Sequence, residues 1–247
     1  MFKYIILGIV QGLTEFFPVS SSGHLAVLQK ILGMFKDTVA LSVVLHFGTA
    51  LAVIIFFFKD ILTAMRSLKL CAFIIIVTVI TGIIGVGGKH FFEGMFGSVR
   101  GIAIAWFITA CVLLLTKKFA DARRKTAGIK DVLILGVTQG LAIAPGISRS
   151  GITISTLLFR GIDKEVSFSF SFLVSIPAIL GAGLLEARDI DFALKSNLKN
   201  YIIGFVFSFL TGLLALWLLK KIIRKAKLHY FGYYCIIVAA LTLLFVR

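Results

Sequence analysis

Few ionisable residues sit inside long apolar stretches of this chain: Glu15, His24, His46 and Arg149. An ionised group at the centre of a spanning helix costs about 2.5–3.5 kcal/mol on insertion scales, so each is a functional candidate by default. Gln11 and Glu15 are spaced i, i+4 and would share one helix face. Pro18 ends that helix, Ser20-Ser21-Ser22-Gly23 follows, and the next helix is expected to begin near His24. Serine is a preferred N-cap, and the free amides and dipole of a helix N-terminus favour an anion. In a solvated loop such a serine run would be a flexible turn. Inside an apolar segment unsatisfied hydroxyls are costly, which argues for a bound partner.

A second segment repeats the design. Gly8-Ile9-Val10-Gln11-Gly12-Leu13 matches Gly136-Val137-Thr138-Gln139-Gly140-Leu141, and Ser20-Ser21-Ser22-Gly23 matches Ser148-Arg149-Ser150-Gly151 at the same offset. Two such blocks at one offset indicate an internal duplication, with repeats over 1–127 and 128–247. Arg149 stands where the first copy has Ser21, while Ile143 and Ile152 replace Glu15 and His24. Arginine suits phosphate because its planar fork binds two oxygens and stays charged. One half thus offers acid, imidazole and hydroxyls, and the other a cation. That is an inventory for phosphoryl transfer, where positioning and charge neutralisation dominate. A Glu15–Arg149 pair that merely ties the halves together is the plainer alternative, but it leaves the hydroxyl clusters unexplained.

The elements that must position these residues are helical. Only 15% of residues are charged against 59% hydrophobic, and mean hydropathy is +1.05, outside the range of soluble domains. Apolar runs at 39–58, 70–88, 101–116, 166–185, 201–219 and 231–246 read as six transmembrane helices, the third recruiting flanking residues to reach spanning length. Gly- and Pro-interrupted segments in corresponding positions of two halves point to a site at the repeat interface. Segments 4–29 and 131–159 are therefore read as two re-entrant helical hairpins. The expected fold is all-α integral membrane with an inverted-topology repeat. Connections 59–69, 117–130, 160–165 and 220–230 hold most of the Lys and Arg and are assigned to the cytoplasm. Both termini then lie outside, and Lys36 and Lys164 fall on opposite faces.

The net charge of +15 fits cytoplasmic loops and anionic lipid headgroups, not nucleic acid, because basic patches interleaved with aromatics are missing. Cys71, Cys111 and Cys235 are isolated from one another and suggest neither a metal site nor disulfides. The N-terminal apolar run is broken by Glu15 and Pro18 and is not expected to be a signal peptide. His46 could reach the site or bond a neighbouring helix. Lys89 and His90 read as interfacial. Trp106, Trp217, Tyr230, Tyr233 and Tyr234 suit helix ends or packing.

The two segments closely resemble the motifs of the undecaprenyl-diphosphate phosphatase family, also called the bacitracin-resistance family. Gln11 through Glu15 match its first motif, Pro18 to His24 its Pro-Val-Ser-Ser-Ser-Gly-His, and Pro145, Gly146, Ser148, Arg149, Ser150 and Thr153 its second. Many members carry Glu where this chain has Gln11, which removes one negative charge. The resemblance implies hydrolysis of undecaprenyl pyrophosphate to undecaprenyl phosphate and inorganic phosphate, recycling the cell-wall carrier lipid. It also implies residence in the bacterial inner membrane, a site open to the outer face, and a divalent cation, Mg2+ or Ca2+. Bacitracin would compete for the polyprenyl pyrophosphate, and a homodimer is compatible with the resemblance.

Expected roles follow. Arg149 clamps the pyrophosphate. Glu15 holds the cation or orients His24. Ser21 attacks with His24 as base, or His24 activates water directly. Gln11, Ser22, Ser148, Ser150 and Thr153 are candidate substrate-binding residues, while Ser20 and Ser22 could serve only as caps. A secondary transporter or flippase for a lipid phosphate or small anion would use the same Arg149 and helix N-termini. The pairing of an acid and imidazole with a cation favours an enzyme.

Overall fold

The computed structural model describes residues 1–34, 38–119, 121–187 and 194–245, so Lys36, whose side of the membrane was assigned above, lies outside the described residues. The described chain is helical, with one isolated β-bridge between Arg124 and Ile162. A broken pair opens it, α1 (Phe2–Phe16) and α2 (Ser21–Ile31). Then come α3 (Thr38–Phe56), α4 (Phe58–Met65), α5 (Leu68–Gly87), α6 (Lys89–Phe96) and α7 (Val99–Leu115). A second broken pair follows, α8 (Ile129–Leu141) and α9 (Arg149–Phe159), then α10 (Lys164–Ala187), α11 (Leu194–Arg224) and α12 (Tyr230–Phe245).

Thr38–Phe56, Leu68–Gly87, Val99–Phe119, Lys164–Leu185 and Leu198–Arg224 are long and apolar enough to cross a bilayer. The third reaches that length as expected, because a 3-10 turn over Thr116–Phe119 extends α7. The last expected span, α12, has only 16 residues; at 1.5 Å per residue it covers about 24 Å of a roughly 30 Å core. The expected first span, 39–58, breaks at Phe57. That ring is 2% exposed and stacks on Phe172 at 5.6 Å, while Lys59 and Asp60 leave the apolar stripe and start the short α4. The short α6 carries Lys89 and His90, and Lys89 pairs with Glu93 at 3.7 Å.

Each broken pair is a closed hairpin. Lys3 Nζ at the start of α1 donates to the Leu32 carbonyl just past α2 at 2.6 Å. At the base of the other hairpin, Asp131 near the start of α8 is 1% exposed and accepts from Arg160 at the end of α9 at 2.8 Å. Arg124 pairs with the same carboxylate at 2.8 Å. In each pair the end of the second helix thus lies against the start of the first.

The first arms are set by glycines at four-residue spacing, which let helix backbones approach closely. A Cβ on Gly8 would lie 2.6 Å from the Gly204 carbonyl oxygen, and one on Gly12 2.5 Å from that of Ser208, both on α11. Gly136 and Gly140, the matching positions in the second copy, bear on Ile80 and Ile84 of α5 at 2.9 Å and 2.6 Å. So α1 lies on α11 and α8 on α5, each arm against a long helix of the opposite half. Around these contacts Phe16, Trp106, Phe168 and Phe172 form the centre of the main core.

Candidate functional site at the hairpin tips

The two hairpins meet tip to tip. Ser20 Oγ accepts from the Gly146 amide at 3.0 Å, joining turns 126 residues apart. Gly146 has φ +96, and a Cβ there would fall 2.4 Å from the Ile102 carbonyl oxygen, so only glycine fits that tip. Thr109 of α7 clasps the same turn, donating to the Gly146 carbonyl at 3.0 Å and accepting from the Ser148 amide at 3.1 Å. Trp106 Nε1 donates to the Val19 carbonyl at 2.7 Å. The N-termini of α2 and α9 thus face a common region, where their dipoles favour negative charge.

Helix α2 begins at Ser21, earlier than the expected start near His24, and Ser20 is its N-cap, accepting from the Gly23 amide at 3.4 Å. Ser20 adopts φ 66, uncommon for a residue other than glycine. Ser148 caps α9 in the same way at 3.1 Å. With α2 started at Ser21, that side chain points back at α1.

Glu15 is the hub. Its Oε1 accepts from Arg149 Nη2 at 2.5 Å. Its Oε2 accepts from Ser21 Oγ at 2.5 Å and from Gln11 Nε2 at 3.1 Å. His46 Nε2 on α3 stands 3.6 Å from the same Oε2. The plain ion pair therefore exists, but it sits inside a larger polar cluster. Two buried atoms in that cluster lack a partner, Arg149 Nη1 and Gln11 Oε1. One arm of the guanidinium fork is thus unused by the protein.

His24 lies apart from the carboxylate. Its Nδ1 bonds the Ser20 carbonyl at 2.7 Å and its Nε2 the Tyr234 hydroxyl at 2.8 Å. The ring stacks on Tyr234 and meets Trp106 edge-on. Both nitrogens are engaged, and the proton of Ser21 is held by Glu15. His24 and Tyr234 border a cavity of about 390 Å³ floored by Val10, Leu13, Val27 and Val238.

The remaining candidates are largely spent on protein. Ser22 Oγ lies 3.2 Å from Ser20 Oγ. Ser150 Oγ donates to the Phe17 carbonyl at 3.4 Å. Thr153 donates to the Arg149 carbonyl at 2.8 Å and meets Ser171 at 2.6 Å. Sequence reading missed Tyr234, Thr109 and the use of the Trp106 indole, because aromatics and threonines in a span carry no signal that separates site from packing.

Among the described residues no three His, Cys, Asp or Glu side chains converge on a metal position. Glu15 is the carboxylate of the cluster that could hold a hard cation, with the other ligands coming from water and substrate phosphates.

The chain matches the family model described as Bacitracin resistance protein BacA over residues 4–241. An undecaprenyl-diphosphatase of Halothermothrix orenii is 42% identical, covering 99% of this chain and 97% of its own length. Those of Alkaliphilus metalliredigens and Carboxydothermus hydrogenoformans are 41% and 42% identical, covering 99% and 94% of this chain and 98% and 92% of their own lengths. A match of that extent, on a chain built from long apolar helices, makes this a multi-pass membrane protein of the bacitracin resistance protein BacA family.

Proposed function

We propose that the chain hydrolyses undecaprenyl pyrophosphate, releasing inorganic phosphate and returning undecaprenyl phosphate as carrier lipid. The observation that carries this reading is the Ser21–Glu15–Arg149 constellation at two converging helix N-termini, with one guanidinium arm free. Family membership and the names of the relatives support the same substrate.

The diphosphate enters where α2 and α9 begin, and Arg149 Nη1 takes its oxygens while Nη2 stays on Glu15. Ser21 Oγ attacks the terminal phosphorus, its proton passes to Glu15 Oε2, and the bridging P–O bond breaks to release undecaprenyl phosphate. Water then cleaves the phosphoserine, freeing phosphate and restoring Ser21. Glu15 is preferred to His24 as the base because the Ser21 hydroxyl already donates to it. A divalent cation, held by Glu15 and the diphosphate, would offset the charge that builds up on the phosphates. The apolar cavity beside His24 and Tyr234 gives the isoprenoid a bed next to the polar tips.

The six-span reading, with two re-entrant hairpins and inverted repeats, belongs to the same proposal. The closed hairpin bases and the crossed packing of α1 on α11 and α8 on α5 support it. It sets the site toward the outer face of the bacterial inner membrane, with the termini outside. Cysteines introduced at Lys36 and Lys164 are expected to label from opposite faces; labelling of both from the cytoplasmic side removes the inverted topology.

Protein purified in detergent is expected to release phosphate from undecaprenyl pyrophosphate with no gradient present. A transporter of the same architecture would bind the lipid and release none.

A further inference from the structure

Two buried atoms of the Glu15 cluster lack a partner among the described residues, and they are of opposite kinds. Arg149 Nη1 is a donor and Gln11 Oε1 an acceptor. The diphosphate presents ionised oxygens, which accept, so it satisfies Arg149 Nη1 and does nothing for Gln11 Oε1. The other reactant of a hydrolysis is water, which donates.

Gln11 is held in a fixed orientation beside the nucleophile. The residue is 0% exposed. Its Nε2 donates to Glu15 Oε2 at 3.1 Å, and because a carboxylate only accepts, the amide cannot be turned end for end. The same Oε2 accepts from Ser21 Oγ at 2.5 Å, so one carboxylate oxygen joins the amide to the attacking hydroxyl. Gln139, at the matching position of the second copy, also has a buried Oε1 without a partner. Its Nε2 donates instead to the Thr81 hydroxyl at 3.1 Å and the Val174 carbonyl at 3.4 Å. The bare oxygen is thus common to both copies, while the neighbouring nucleophile belongs to the first alone.

The two chemical steps give the water a need that Glu15 does not meet. In the first, Ser21 Oγ bonds the terminal phosphorus and its proton goes to Glu15 Oε2. Undecaprenyl phosphate leaves with the electron pair of the broken P–O bond. In the second, the water oxygen bonds phosphorus, the bond from phosphorus to Ser21 Oγ breaks, and Glu15 returns its proton to Ser21. Both hydrogens of the water stay with the released phosphate. Glu15 therefore enters the second step as an acid, and the incoming water needs another acceptor to aim it.

We infer that Gln11 Oε1 is that acceptor and holds the water that attacks the phosphoserine. This deepens the phosphatase reading and rests on its covalent step. A neutral amide orients water without taking its proton, as a glutamine does for the attacking water in GTP hydrolysis.

The test follows the phosphorylated enzyme, with undecaprenyl pyrophosphate and the purified full chain in detergent. Gln11→Met nearly keeps the side-chain volume and leaves the Ser21 and Arg149 bonds to Glu15 in place. Turnover is expected to fall about 10²-fold, the cost of a reacting group misplaced by about 1 Å. Phosphorylation of Ser21 is expected to stay fast. Rapid mixing then gives a burst of about one undecaprenyl phosphate per enzyme, and acid quench finds most of the Ser21 peptide phosphorylated. Gln139→Met is expected to leave the phosphorylated fraction at the wild-type level. A role confined to steadying Glu15 would slow phosphorylation instead and accumulate nothing. Absence of accumulation in Gln11→Met, or equal accumulation in Gln139→Met, would overturn the proposal; Gln11→Leu is read in the same way should the thioether variant not fold. Phosphate release by the wild type reports on the phosphatase reading, and a phosphorylated wild-type Ser21 peptide on its covalent step. The role of Gln11 can therefore fail while both stand.

Discussion

Arg149→Lys is expected to lower phosphate release from undecaprenyl pyrophosphate by about 10²–10³-fold at saturating substrate, the cost of removing one preorganised charge-stabilising donor. The reason is division of labour within one guanidinium. Nη2 is committed to Glu15 at 2.5 Å, while Nη1 is buried and unpartnered. Only a fork can hold the carboxylate and receive a phosphate together. A lysine ammonium is a point charge, and in this site it would either stay on Glu15 or leave it for the substrate. The substitution keeps the charge balance, so the fold should survive. Arg149→Ala would be a poorer probe, because stranding a buried carboxylate costs about 3–5 kcal/mol and mixes unfolding with inactivity. A melting temperature near wild type with turnover cut as stated is the supporting result. Turnover within tenfold of wild type would remove the two-armed clamp from the mechanism.

Much of this arrangement was legible in the residues because charge inside an apolar run is hard to explain otherwise. Glu15 and Arg149 stood out on that ground alone, and the structure puts them in contact across 134 positions of sequence. The paired glycines were legible too, as part of a repeated block, though not the helices they would lie against. The long apolar runs placed five spans to within about five residues at each end, while the sixth expected span is a helix of 16 residues. The break at Phe57 was not visible, because a phenylalanine turned into the core reads like one facing lipid until its neighbours are known. The orientation of His24 was lost for a local reason. It depends on which serine caps α2: a start at Ser21 sends Ser21 to Glu15 and lets His24 bond back to Ser20. Spacing alone left any of the serines as the cap. Thr109 and Tyr234 act across chain separations no pattern records.

Replacing Ser21, together with trapping of a phosphorylated peptide, separates a covalent route from direct attack by water. If Ser21 only steadies Glu15, Ser21→Ala removes one hydrogen bond to a carboxylate of about 1.5–3 kcal/mol, a rate loss of about 10–150-fold. If Ser21 Oγ is the nucleophile and Glu15 Oε2 takes its proton, the variant loses both bond formation and the positioned proton transfer. The latter alone contributes about 10²–10⁴-fold. The expected result is a fall of at least about 10³-fold in kcat with little change in KM, since Arg149 Nη1 and the helix N-termini still bind the diphosphate. The substitution deletes a single oxygen that is 2.5 Å from Glu15 and leaves the Gln11 and Arg149 bonds in place. Acid quench of the wild-type enzyme during turnover, followed by peptide mass analysis, should find phosphate on the peptide carrying Ser21. A rate loss within about 150-fold, together with no phosphorylated peptide, would leave water as the attacking group and Glu15 as its base.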